Sequence, residues 1–273
     1  MASANPAPAE PILAIDAARQ AYQASGDALA RTFGHSLKLV LAAVLIALFV
    51  RVFLVQPFSI PSRSMAPLLE AGDFVAVDKT AYGWSRAALP FQPDKSLLPG
   101  EPFLGIDIPI VEDFLAAIPE RFAPARPAAG DVVVFMGPEA TTGARVDYVK
   151  RIIARGGDRI GMERGRAILN GRALPCEPVG DGLCRETLPD GASHVVHETG
   201  RGRLADFAEV RVPDGHYFML GDNRDDSADS RLSPAQGGVG LVPDAMIVGR
   251  AQHIFFSLGS DGVRWHRIGQ AAH

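Results

Sequence analysis

Three stretches of this sequence hold residues able to do covalent chemistry. The first is Phe58-Ser-Ile-Pro-Ser-Arg-Ser-Met-Ala-Pro-Leu-Leu-Glu-Ala-Gly-Asp73. Ser62 and Ser64 lie between Pro61 and Pro67, where regular helix cannot form. A hydroxyl held at such a bend is a nucleophile candidate; the plainer alternative is a turn rich in Ser and Pro. The second stretch is Asp147-Tyr-Val-Lys-Arg-Ile-Ile153. It has a strand pattern in which Val149, Arg151 and Ile153 face the opposite way from Lys150. A lysine in an apolar strand is usually an exposed edge charge. Turned into a dry site, its amine would lose protons more easily and become a base. A fall from about 10.4 to about 8 corresponds to roughly 3 kcal/mol of lost ammonium stabilisation.

The third stretch is Gly221-Asp-Asn-Arg-Asp-Asp-Ser-Ala-Asp-Ser-Arg231. A calcium loop counted from Asp225 needs Gly at its sixth position and Glu at its twelfth, and finds Ser230 and Gln236. Counted from Asp222 it finds Arg224 at the third. Both registers fail. Acids alternating with arginines indicate instead an ion-pair and hydrogen-bond network that fixes a loop. Ser227 within it could orient a neighbouring catalytic group.

Such groups need elements to hold them. The chain has 273 residues, 47% of them hydrophobic, with 28 Gly and 21 Pro, and its mean hydropathy is +0.10. Much of that apolar excess lies in Leu37 to Val55, interrupted only by Lys38 and Arg51. No polar stripe recurs there at helical spacing, as a core-facing helix would show. Length and composition fit one transmembrane helix, with the two cations near its ends, where they can snorkel. A buried soluble helix and a cleaved signal peptide fit less well, the latter because 36 residues precede the run. The expected layout is a tail at 1–36, an anchor at 37–56 and a domain at 57–273. Residues 1–11 read as disordered and 12–33 as a weak helix. Charge flanking the span gives only a slight orientation bias.

After the span, β-rich runs at 74–77, 131–135, 147–154, 167–171, 208–212, 216–220 and 248–256 alternate with turn signals. The expected fold is mainly β, built from folded antiparallel sheets. Residues 85–126 read as a Pro-rich insertion, whose Phe103, Leu104 and Ile106 could touch lipid, and 160–212 as a second small β subdomain. A net charge of -4 offers no phosphate footprint, so no nucleic-acid partner is expected.

Together the three stretches resemble bacterial type I signal peptidases, the leader peptidase class of Ser–Lys proteases. The resemblance rests on Ile60-Pro-Ser-Arg-Ser-Met65, Tyr148-Val-Lys-Arg151 and Gly221 to Arg231, behind an N-terminal anchor, with Gly72-Asp73, Gly130 to Phe135 and Val248 to Ala251 in support. It covers roughly residues 37–257. It implies that Ser64 is the nucleophile and Lys150 the general base, with the Ser64 N–H and Ser62 hydroxyl as oxyanion hole. Ser227 would hydrogen-bond the lysine amine, and Asp229, Arg231, Asp222 and Arg224 would brace the site. Phe58, Ile60, Met65, Leu69, Val75, Val134 and Val149 would line pockets for small side chains. No cofactor or metal is implied. The implied partners are exported preproteins, inner-membrane lipid and the translocation machinery. The implied location is a bacterial inner membrane, single-pass, with a cytoplasmic N-terminus and a periplasmic catalytic domain. Leu68, Arg63 and the turn Ala154-Arg-Gly-Gly-Asp158 depart from the family pattern without removing a reacting group.

Cys176 and Cys184, followed by His194 and His197, lack zinc-ligand spacing. A loop-closing disulfide outside the cytoplasm fits better and agrees with the implied orientation, although spacing leaves the pairing open. Two other readings stay open: a peptidase dedicated to a pilin or transfer-apparatus precursor, and a non-catalytic anchored domain that binds preproteins.

Overall fold

The structure is a computed structural model and describes residues 10–88, 125–139 and 145–272. Most of the first eleven residues and most of the expected insertion, including Phe103, Leu104 and Ile106, lie outside the described residues. Helix α1 runs Glu10–Phe49, and its stretch Thr32–Phe49 is long and apolar enough to cross a membrane. Leu39, Leu41, Ile46 and Phe49 are more than half exposed on it, a surface that lipid rather than water would stabilise. The helix closes earlier than the hydropathy run. A π-helical turn occupies Val50–Leu54, and Val55 is already extended and paired with Asp78. Apolar character continues through Val55, but its backbone hydrogen bonds go to a sheet.

Residues Arg51–His273 form a second unit. Its strands are β1 (Val55–Ser59), β2 (Asp73–Asp78), β3 (Val132–Pro138), β4 (Arg145–Arg155), β5 (Arg159–Glu163), β6 (Arg166–Leu169), β7 (Arg172–Ala173), β8 (Cys176–Gly180), β9 (Leu183–Thr187), β10 (Ser193–His197), β11 (Phe207–Arg211), β12 (His216–Leu220), β13 (Val242–Pro243), β14 (Ile247–Gly259) and β15 (Gly262–Val263). The mainly β, antiparallel fold expected from the sequence is the one observed. The main sheet runs β1-β2-β14-β3-β4-β12-β13, with β15 paired to β14. Two smaller sheets follow, β11-β5-β6-β7 and β10-β9-β8. In the second of these, Cys176 and Cys184 are joined by a disulfide across the β8–β9 hairpin, with their Cα atoms 5.4 Å apart.

Strand β4 is the element on which the domain turns. Ile153 and Ala154 pack with Ile160, Phe218 and Leu220, whereas Ile152 packs with Phe135, Tyr217 and Met219. Both faces of β4 are therefore dry at its centre, which is where Lys150 sits. A third cluster gathers Ile60, Met65, Leu69, Val75 and Ile254 under the serine loop.

Candidate active site

Beyond β1 the chain makes a closed loop over residues 60–72. Ile60 N–H donates to Asp73 O at 2.8 Å and Gly72 N–H donates to Ile60 O at 2.9 Å, so the loop's ends are tied together. Met65 and Leu69, both buried, plug it into the core below. The Ala66–Pro67 peptide is cis. Gly72 adopts φ +91°, and a Cβ there would run into Leu258 O, so glycine is required. Asp73 locks the base of the loop: it accepts from Arg267 Nη2 at 2.6 Å, Ser257 Oγ at 2.7 Å and Glu70 N–H at 2.8 Å. Burial alone would raise its pKa, but Arg267, the Glu70 N–H and Ser257 hold it below the usual carboxylate value.

This loop presents Ser64 to β4. Lys150 Nζ lies 2.7 Å from Ser64 Oγ and donates a second hydrogen bond to Val149 O at 3.1 Å. The lysine is 4% exposed. Burial pushes its pKa down to about 8, against the opposing pull of Asp229 and Asp222. Ser62 Oγ stands 3.3 Å from Ser64 Oγ. Among the described residues, no protein acceptor takes the Ser64 N–H.

The turn after β12 clasps the loop from behind. Asn223 N–H donates to Ser64 O at 3.1 Å, and its side chain donates to Arg63 O at 3.2 Å. A Cβ on Gly221 would collide with Ser64 O and with the Ser227 hydroxyl, so glycine alone permits this approach. Three forked arginine–carboxylate pairs frame the turn, all buried. Arg231 Nε and Nη2 each donate to Asp229 at 2.8 Å, and Asp229 also accepts the Gly221 N–H at 3.1 Å. Arg151 Nε and Nη2 each donate to Asp222 at 2.8 Å. Arg224 Nη1 donates to Glu186 at 3.0 Å, with Nη2 on its other oxygen. Burial works against ionising Glu186, but Arg224 and His194 bring its pKa down to about 2.

The structure thus brings Ser62, Ser64, Lys150, Asp222, Arg224, Asp229 and Arg231 around one centre. It places Ser227 differently from the implied role. Its hydroxyl is buried over Gly221 without a hydrogen-bond partner among the described residues, because the lysine amine turns to Ser64 and Val149 instead. Of the seven apolar pocket candidates, Ile60, Met65, Leu69, Val75 and Val134 are core residues, at most 4% exposed. Phe58 and Val149 are half-buried and are the ones a substrate side chain could touch. His194 faces Glu186 at 3.3 Å and His197 faces Asp225 at 3.7 Å. Sequence reasoning missed the ion-pair roles of Arg151 and Glu186, and it missed Asn223 as a clasp. Alternation of charges signals that a network exists but does not say which distant strand supplies the other half.

Comparison with known proteins shows what the chain is similar to. The family model described as signal peptidase, peptidase S26, matches residues 34–256. Signal peptidase I from Pseudomonas aeruginosa is 32% identical over 225 residues, covering 78% of this chain and 68% of that protein. Signal peptidase I from Rickettsia typhi is 30% identical over 230 residues, covering 78% and 76%. A solved signal peptidase I from Enterococcus faecalis is 24% identical, covers 46% of this chain and 97% of that one, and superposes with a TM-score of 0.28. Since the family model spans residues 34–256, and with them the serine loop, the lysine strand and the clasping turn, this chain belongs to the signal peptidase family.

Proposed function

We propose that this chain cuts signal peptides from exported preproteins with Ser64 as nucleophile and Lys150 as general base. The observation that carries this reading is a nearly dry lysine 2.7 Å from a serine hydroxyl. With its pKa at about 8, the amine is neutral in a useful fraction of molecules near pH 7, without any histidine. Neutral Nζ takes the Ser64 proton as Oγ attacks the carbonyl carbon. The carbonyl oxygen collects negative charge facing the Ser64 N–H and the Ser62 hydroxyl. The C–N bond then breaks and the lysine proton passes to the leaving amine. Water, deprotonated by the same amine, hydrolyses the ester. Phe58 and Val149 present the apolar wall for small side chains before the cut, backed by the core residues beneath them. The anchor holds this chemistry against the outer face of an inner membrane, with the N-terminus cytoplasmic and residues 57–273 outside. Tethering there raises the local concentration of membrane-borne substrate.

Two measurements test the dyad. Purified Ser64→Ala is expected to lose roughly 10³-fold or more in preprotein cleavage; a variant that cuts at the wild-type rate would put the nucleophile elsewhere. In the wild type, kcat/KM is expected to rise with pH as a single ionisation centred at about pH 8. A flat profile from about pH 6 to about pH 9 would remove Lys150 as the base.

A further inference from the structure

A cavity of about 390 Å³ opens beside the nucleophile, lined by Arg63, Ala66 and Glu70 of the serine loop and by His197, Asn223 and Arg264. It shares no residue with the apolar wall at Phe58 and Val149. Its floor is coupled to the reacting group, since Asn223 holds both Ser64 O and Arg63 O. Most of its charges are already matched. Arg264 Nη1 donates to Glu70 at 2.6 Å and its Nη2 lies 3.1 Å from Asp73, and His197 faces Asp225. Arg63 has no carboxylate partner among the described residues. The cavity therefore carries an unmatched cation one residue away from Ser64.

A peptide cut at Ser64 must leave the nucleophile in two directions. If the apolar wall takes the residues before the cut, as the proposed function has it, the residues after the cut need a different surface. This mixed cavity on the same loop supplies one. We propose that it receives the first residues of the released protein and that Arg63 selects an acidic side chain there. Because Arg63 is the immediate neighbour of Ser64 in the chain, and an extended peptide advances about 3.3–3.6 Å per residue, the test is placed at the first two residues after the cut.

The test uses full-length enzyme in detergent and matched preproteins that carry Asp, Asn or Lys at the first or second residue after the cut. Wild type is expected to favour Asp over Lys by about three- to five-fold in kcat/KM at low salt, the upper part of the range of an exposed ion pair. The ratio is expected to shrink in about 0.5 M salt. Arg63→Glu should invert the ratio at the same position and Arg63→Lys should retain it, whatever either does to overall rate. An Asp-to-Lys ratio that is the same in wild type and Arg63→Glu overturns the proposal. The Asn substrate separates the two layers of inference. If wild type cuts it and Ser64→Ala does not, an unchanged ratio counts against the cavity alone. If Ser64→Ala cuts it as well, or wild type does not, both readings fall.

Discussion

Replacing Lys150 with Met is expected to abolish cleavage and, at neutral pH, to raise stability. The two effects have one cause. Lys150 is held in the fold with a pKa of about 8 against an ordinary 10.5. Between those values the unfolded chain binds a proton that the native state does not, so stability rises with pH across that window. Below it, the native state carries the full cost of a buried ammonium, about 3 kcal/mol from the size of the shift. Met has nearly the same reach, no charge and a flexible thioether that fills irregular space. It gives up the hydrogen bonds to Ser64 Oγ and Val149 O, each worth about 1 kcal/mol net. The net expectation is a gain of about 1 kcal/mol at pH 7, narrowing as pH rises from 7 towards 10. Thermal unfolding of both proteins across that range checks it. A Met variant that melts well below wild type would mean that the lysine stabilises the fold and is not strained within it. Loss of activity alone would not separate these cases.

The same lysine shows how far the sequence could be read. The run 147–154 identified a strand, and the observed β4, Arg145–Arg155, extends it by two residues at its start and one at its end. What the pattern could not settle was whether a lysine at its centre was wet or dry, because that depends on which elements cover it. The covering serine loop is 86 residues away in sequence from Lys150. Strand β12 coincides with the run 216–220, because both its faces are dry: Phe218 and Leu220 pack in one core cluster, Tyr217 and Met219 in another. Strand β1 was hidden for a definite reason. Its Val55 continues the anchor's apolar run, and Pro57 argues against a strand, but β1 lies at the sheet's edge, where proline is tolerated. Strand β8 escaped notice because it is short and largely exposed, and β9 because it is short and its one fully buried residue is the charged Glu186, so neither shows the apolar alternation that reports burial. Among the chemical residues, Ser64, Lys150 and the charged turn were legible as types. Their pairings were not, because Arg151–Asp222 and Arg224–Glu186 span 71 and 38 residues.

Breaking the Asp229–Arg231 pair from either side is expected to destabilise the domain yet move the pH profile in opposite directions. Both side chains are fully buried. Removing one leaves the other charged without compensation, which costs about 3–5 kcal/mol, a loss that a domain of ordinary stability survives. Asp229→Ala also frees the Gly221 N–H, and Arg231→Met releases the carbonyls of Leu204 and Arg224. On those grounds alone the variants should look alike: looser in the turn that clasps Ser64, and slower. Electrostatics separates them. Asp229 favours protonated Lys150, so removing its charge, with Arg231 left behind, should carry the alkaline rise in activity to lower pH. Arg231→Met leaves Asp229 unneutralised beside the lysine and should carry it to higher pH. The double variant Asp229→Leu/Arg231→Met should cost less stability than the sum of the single losses, because no lone charge remains. Measured shifts of the same sign would confine the pair to holding the turn's shape. Opposite shifts would show that the ion pair that fixes the loop also sets the basicity of the Lys150 amine.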